Sequence, residues 1–408
     1  MEGMELHPIL EKTTSPNTGL WYVLSALGNC PSMRVGLSAS FIEGTDDHPG
    51  KIYIVGGANP SGPFNETYVL DFDTFSWDML EAEGFKARYE HSAWTPTFNQ
   101  NAIYVFGGAH QTGNLNDIQV LDTLSSKWLT ETCSGSPPGG RTLKTTACVG
   151  DKFIVYSGGQ SAADPVTDRQ VHIYDSSKSQ WTTPSVKGDP PKPRHGHVMV
   201  AIGNRVYIHG GMSGQSFYND LHVFDLDKNA WLSIKQKKTA PSMRAAHGGV
   251  GVDTHMYIFG GMNKDGALDD MHMLDTKSFQ WTSIELQGPP PACRLDFGMC
   301  KMSLKVPIAT SRSNGDSATA QNQADGVLTS QFEDLHVSNS GDQETISDES
   351  KDDSFLTSKR TTEQATSSAT DGATAAAAVE TRDFIFIIGG MDTEGNIFDD
   401  CLVYMIPK

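Results

Sequence analysis

The side chains with the most chemical potential in this sequence come in a repeat. His91, His197 and His247 each stand three residues after an arginine, Arg88, Arg194 and Arg244. An imidazole near a guanidinium could serve proton transfer, anion binding or, once neutral, metal ligation. His195 and His197 add a His-x-His pair of the kind that can chelate a metal. No carboxylate or cysteine stands around that pair in sequence to complete a ligand set. A residue that recurs once per unit belongs to a framework more readily than to one active centre. These histidines and arginines are therefore expected to bond backbone carbonyls near an axial channel, and no catalytic, cofactor-binding or metal residue is assigned. Paired glycines also recur, but without the G-x-x-x-x-G-K-[ST] frame of a phosphate cradle.

The elements that must hold these residues follow from the same periodicity. Glycine pairs occur at Gly56-Gly57, Gly107-Gly108, Gly158-Gly159, Gly210-Gly211, Gly260-Gly261 and Gly389-Gly390, the first five 50 to 52 residues apart. Trp77, Trp128, Trp231 and Trp281 each follow the first glycine of a pair by 21 residues, and Trp181 follows by 23. Each pair ends an almost wholly apolar run such as Ile103-Tyr-Val-Phe106 or Met256-Tyr-Ile-Phe259, which reads as a strand covered on both faces. A second strand closes on aspartate at Asp71, Asp122, Asp175, Asp225 and Asp275, and a short polar turn leads into the tryptophan strand. An arginine opens each unit: Arg34, Arg88, Arg141, Arg194, Arg244 and Arg294. The 50-residue period with its Gly-Gly to Trp spacing resembles the kelch repeat, in which each unit is one four-stranded blade of a β-propeller.

Counting the parts predicts how the ring closes. The sixth glycine pair has no tryptophan after it, and Trp21 has no glycine pair before it. Leu20-Trp-Tyr-Val-Leu24 is therefore expected to supply the outer strand of the blade that Arg294 begins. Closing the ring in this way removes an exposed sheet edge. The expected fold is all-β, one six-bladed propeller closed by an N-terminal strand, with a flexible tail over 1–19 and a monomeric state. The third unit departs from the pattern, reading Arg141-Thr-Leu-Lys144 without the histidine and Tyr156-Ser-Gly-Gly159 without the apolar residue.

Composition narrows the partners. Cys30, Cys133, Cys148, Cys293, Cys300 and Cys401 show no recurring spacing and read as reduced thiols of a cytosolic protein. Met1 to Gly19 holds no apolar core of signal-peptide length, and no apolar run approaches 18 residues. A net charge of −18 argues against nucleic acid or anionic lipid as a direct polyelectrolyte partner.

One stretch breaks the repeat. Arg294 and Gly389 are 95 residues apart where the fourth and fifth units need 16. Residues 306–380 carry 13 acidic against 4 basic side chains, half the net charge of the chain, and read as a disordered acidic insert between 20–305 and 381–408 of the propeller. Within it Leu328, Phe332 and Leu335 fall at helical spacing, either as a linear motif that folds on a partner groove or as chance clustering in a disordered loop.

The strings Ile54-Val-Gly-Gly-Ala-Asn-Pro60, Arg88-Tyr-Glu-His91, Val105-Phe-Gly-Gly-Ala109, Pro193-Arg-His-Gly-His-Val-Met-Val200, Ile258-Phe-Gly-Gly-Met262 with Gly266-Ala-Leu268, and Gly389-Gly-Met-Asp-Thr-Glu-Gly395, together with the acidic insert before the last pair, resemble the kelch-repeat effectors of Rab GTPases. The resemblance implies a non-enzymatic protein that engages the GTP form of a late-endosomal Rab GTPase and promotes transport from late endosomes to the trans-Golgi network. It also implies association with an endosomal phosphoinositide kinase and a cytoplasmic protein held peripherally on endosome membranes. Other kelch propellers are substrate receptors of ubiquitin ligases, but those carry a helical module ahead of the repeats, and only 33 residues precede Arg34. The glycine-pair loops are the expected contact face. Asn59, Phe64, His110, Leu115, Met212, Phe217, Met262 and Met391 are the apolar or adaptable groups assigned to its exposed turns.

Overall fold

A computed structural model describes residues 6–307 and 379–408, apart from 46–47, 144, 146, 162–163 and 235–238. Every regular element in it is a strand. Six sheets, each an antiparallel four-strand meander, form the blades of a propeller, and blades one and six add a short parallel outer strand. Blade one is Ser38–Ile42, Lys51–Val55, Thr67–Asp71 and Ser76–Met79 from the axis outward. Blades two to five repeat this order, and their second strands are Ala102–Phe106, Lys152–Tyr156, Arg205–His209 and His255–Phe259. These second strands are the apolar runs of the sequence, buried over at least their last four residues because a neighbouring blade covers each face.

Blade six is assembled from both ends of the described chain. Gly298–Pro307, Val379–Ile388 and Cys401–Met405 are followed outward by Trp21–Leu24, with Trp21 opposite Tyr404 and Val23 opposite Leu402. Two boundaries differ from those expected. Residues 6–19, expected as part of a flexible tail, include a further outer strand, Ile9–Leu10, paired in parallel with Val23 and Leu24, and Leu10 is buried. Apolar Leu10 gains a place in the core there, which offsets the entropy of ordering the segment. Residues 306, 307, 379 and 380, assigned to the acidic insert, continue the ladder as the pairs Val306–Glu380 and Pro307–Val379. Val306 is buried, so the hydrophobic face outlasts the five-residue strands of the other blades.

The core is divided into six apolar clusters, each straddling two neighbouring blades. The tryptophans do much of the joining. Trp128 packs on Phe85 with ring centroids 4.4 Å apart and donates its Nε1–H to Thr67 Oγ1 of blade one at 3.2 Å. Trp231 of blade four meets Tyr156 of blade three, with ring centroids 5.0 Å apart. Trp21 meets Phe259 of blade five at 5.3 Å and Tyr404 of its own blade at 5.4 Å. The strand-closing aspartates accept turn N–H groups as expected, for example Asp71 from Asp73 at 2.8 Å and Asp122 from Leu124 at 2.9 Å. All six cysteines are free, Cys300 and Cys401 in the core.

Candidate functional site

The face carrying the glycine-pair loops is built on six buried arginines. Arg34, Arg88, Arg141, Arg194, Arg244 and Arg294 are all at most 1% exposed. A guanidinium keeps its charge at such depth only if every side is satisfied. In each unit Nη1 donates to the carbonyl of a loop residue of the same blade: Gly56, Gly107, Ser157, Gly210, Gly260 and Gly389, at 2.9 to 3.2 Å. Nε donates to the carbonyl two residues back, as Arg88 does to Lys86 at 3.0 Å. A carboxylate then closes the fork: Glu66, Asp117, Asp168, Asp220, Asp270 and Asp400 in turn. Asp117 binds Arg88 through both oxygens at 2.9 Å, the bidentate geometry in which a guanidinium is best matched.

Peptide hydrogen bonds carry the pattern from blade to blade. The N–H of Gly57 donates to the carbonyl of Arg88, Gly108 to Arg141, Gly158 to Arg194, Gly211 to Arg244, Gly261 to Arg294 and Gly390 to Arg34, at 2.8 to 3.0 Å. The circuit is closed, and every step uses the same two positions of the repeat. It also corrects the reading of blade three, where Ser157 and Gly158 occupy the register that Gly56 and Gly57 hold in blade one. Ser157 adopts φ 54° and its Oγ bonds the carbonyl and the N–H of Arg194 at 2.9 and 2.8 Å. A second series of five bonds links the residues two after the arginines. Glu90 N–H donates to Gly36, Leu143 to Glu90, Ala246 to Gly196, Asp296 to Ala246 and Gly36 to Asp296, at 2.6 to 3.2 Å.

The histidines belong to this frame. His91, His197 and His247 are at most 4% exposed. His91 Nε2 pairs with Ser38 Oγ at 2.9 Å, and His247 Nε2 with His209 Nδ1 at 3.1 Å. Burial, with a smaller contribution from the neighbouring arginine, pushes His91 and His197 down to about 3, and the same two causes lower His209 to about 3. Neutral imidazoles of this kind are packing elements. Among the described residues no group of three or more His, Cys, Asp or Glu is placed to hold a metal ion. A cavity of about 300 Å3 lies on the axis, lined by residues of the innermost strands, such as Ser38, Val250 and Lys301, and by His91 and Thr145 just ahead of two of them.

Sequence reasoning missed the carboxylates and a set of histidines that share them. His172 bonds Asp168 at 2.6 Å, His222 bonds Asp220 at 2.8 Å and His272 bonds Asp270 at 2.7 Å. Burial alone would raise the Asp220 and Asp270 carboxyls, but the arginine and histidine bonds outweigh it and hold both well below the usual carboxylate range. An Asp–His pair can orient a catalytic base. Here each aspartate is committed to a buried guanidinium as well, which makes the trio a clamp across the blade.

The expected contact residues divide into two groups. Phe64 and Leu115 hold the frame: their N–H groups donate to Gly57 and Gly108, the Phe64 ring lies 4.2 Å from the Arg34 guanidinium carbon, and Leu115, expected on an exposed turn, is buried. The aromatic face satisfies the one side of the guanidinium that no hydrogen bond can reach. Tyr218 and Phe398 repeat this over Arg194 and Arg294 at 4.4 and 4.5 Å. Asn59, His110, Met212, Phe217, Met262 and Met391 are half-buried residues of the small loops that follow the glycine pairs. Asn59 and His110 bond their own turns, through Ser61 N–H and Thr112. Met212 stands opposite Phe217 across a two-residue ladder, and Met262 and Met391 bridge Ala245 and Leu295. Leu328, Phe332 and Leu335 lie outside the described residues.

The sequence model of the KLHDC2/KLHL20/DRC7 Kelch-repeats domain matches residues 12–168, 45–248 and 146–310. The chain is similar to proteins named Rab9 effector protein with kelch motifs. It is 43% identical over 220 residues to the one from Bos taurus, covering 53% of this chain and 59% of that one. The likeness to the one from Danio rerio is 43% over 230 residues, 53% of this chain and 66% of that one. For Homo sapiens it is 40% over 220 residues, 53% and 59%. The chain thus spans about three-fifths of the length of these curated relatives. Tip elongation aberrant protein 1 of Schizosaccharomyces pombe is 33% identical over 180 residues, 15% of its length.

Proposed function

The chain belongs to the Kelch-repeat family, and on that premise we propose that it is a non-catalytic binding propeller that acts as a Rab effector. The reading is carried by its likeness to the Rab9 effector proteins with kelch motifs, 39 to 43% identical over about 220 residues. The geometry supports a binding role. The charged groups that recur in every blade are committed to the frame, and what differs between blades is the set of hairpin side chains above it. The partner is the GTP form of a late-endosomal Rab, Rab9 in the first instance, and the task is transport from late endosomes to the trans-Golgi network. An endosomal phosphoinositide kinase is a second partner that would hold this cytoplasmic protein peripherally on the endosome. Asn59, His110, Met212, Phe217, Met262 and Met391 supply the contact face.

The test is retention of the full chain on immobilised Rab9. Retention on the GTP-loaded form and not on the GDP-loaded form supports the reading; equal retention on both, or none across a panel of Rabs, removes it.

A further inference from the structure

A repeat frame makes departures informative, because equivalent positions can be compared blade by blade on one scaffold. The residue after the in-register loop pair is Ala58, Ala109 or Gly159 in blades one to three and Met212, Met262 or Met391 in blades four to six. Met243, just before Arg244, adds a thioether that is 49% exposed. Charge is distributed just as unevenly. Residues 59–65 and 110–116 of blades one and two contain no acidic side chain, whereas 262–269 and 391–399 of blades five and six contain Asp265, Asp269, Asp392, Glu394 and Asp399 against Lys264 alone. Asp265, Asp269, Glu394 and Asp399 are exposed.

The two acidic loops form one surface. Thr393 Oγ1 lies 3.7 Å from where a Cβ on Gly266 would sit. Both loops act on Cys293: burial raises its thiol pKa, and the fields of Asp269 on one loop and Asp392 on the other raise it further. Met262 and Met391, half-buried, stand in the same loops as the carboxylates, Met243 is exposed, and flexible apolar groups of high polarisability adapt to a partner without a preformed pocket.

We infer that the blade-five and blade-six sector of the glycine-loop face is the docking surface, and that its partner is a protein surface on which lysines and arginines flank an apolar anchor. The carboxylates steer and orient that partner, and Met243, Met262 and Met391 receive the anchor. This rests on the proposal that the glycine-loop face is the binding face.

The test compares Asp265→Asn/Asp269→Asn/Asp399→Asn with a charge-matched control away from the sector, Asp78→Asn/Asp227→Asn/Asp253→Asn. Two probes are titrated into the full chain: GTP-loaded Rab9, and a helical peptide with leucines on one face and lysines on the other. The sector triple binds the peptide about tenfold more weakly than wild type, and its affinity depends less on salt. The control loses less than about threefold, the general effect of net charge. Met262→Ala/Met391→Ala weakens binding and leaves the salt dependence in place. Equal losses in the two triples overturn the inference, even where Rab9 binds wild type and the Rab reading stands. If the triples separate on the peptide but wild type does not bind Rab9, the sector stands and the Rab reading falls.

Discussion

The peptide N–H of Gly390 donates to the carbonyl of Arg34 at 2.9 Å, joining residues 356 positions apart by the bond that joins Gly57 to Arg88. It is the step that turns a row of blades into a ring. Gly390 has φ 90°, and a Cβ there would lie 2.7 Å from the carbonyl oxygen of Leu295, so glycine is required on both grounds. The N-terminal strand seals the same blade on its outer side.

Closure makes Trp21 a residue of the whole ring. It is 1% exposed between blades five and six. Trp21→Ala is expected to cost about 3–5 kcal/mol, the range for a large aromatic removed from a core. Chemical denaturation should show one transition shifted as a unit; a change below about 1 kcal/mol would mean that the N-terminal strand does not close the ring.

The arginine forks depend on their carboxylates. Asp117→Ala leaves Arg88 in the core with bonds only to carbonyls and to Gln119 Oε1, the last at 2.7 Å. The expected cost is about 2–3 kcal/mol, below that of a fully buried pair because Asp117 itself is 30% exposed. Asp117→Asn, which keeps one acceptor, should lose about half as much in the same denaturation measurement.

Acid should weaken the fold before it reaches the carboxylates. Folded His91, His197 and His209 titrate at about 3, below the ordinary 6.5 of an unfolded histidine. Their contribution is complete above pH 6.5 and is lost as pH falls from there toward 3, because the unfolded chain binds the protons first. Each histidine should cost roughly 2 kcal/mol between pH 6.5 and 5. Melting temperature should fall across that interval, and His91→Phe should flatten the fall; an unchanged melting temperature down to pH 5 would refute the assignment of neutral buried imidazoles.

Ser157 stands where the other blades have glycine. Ser157→Ala removes both bonds to Arg194 and should cost about 1–2 kcal/mol. Loss of less than a few tenths, measured by the same unfolding curves, would contradict the register given to blade three.

Much of this architecture was legible because a 50-residue period repeats each local constraint. The tryptophan strands, the turn aspartates and the closing segment around Trp21 all stand where spacing put them. The slip in blade three was hidden because Gly158-Gly159 is a glycine pair in sequence, and only the partner of each N–H reveals that Ser157-Gly158 fills the place. The carboxylates opposite the arginines were overlooked although the sequence marks them: Glu66, Asp117, Asp168, Asp220 and Asp270 follow their arginines by 26 to 32 residues. They precede the more conspicuous turn aspartates by only five to seven residues, and spacing alone does not separate the two. Phe64 and Leu115 illustrate the opposite error. Their loop position suggested exposure, but guanidinium stacking and burial claim them, and neither leaves a trace in local polarity.

On the proposed function, this ring presents its glycine-loop face to a GTP-loaded Rab. Hydrogen exchange on the full chain, alone and with GTP-loaded Rab9, tests it most directly. Slowed exchange is expected in the loops following Gly211, Gly261 and Gly390, with the turns after Asp71, Asp122 and Asp225 unchanged. Protection confined to those turns, or no protection at saturating Rab9, would contradict it.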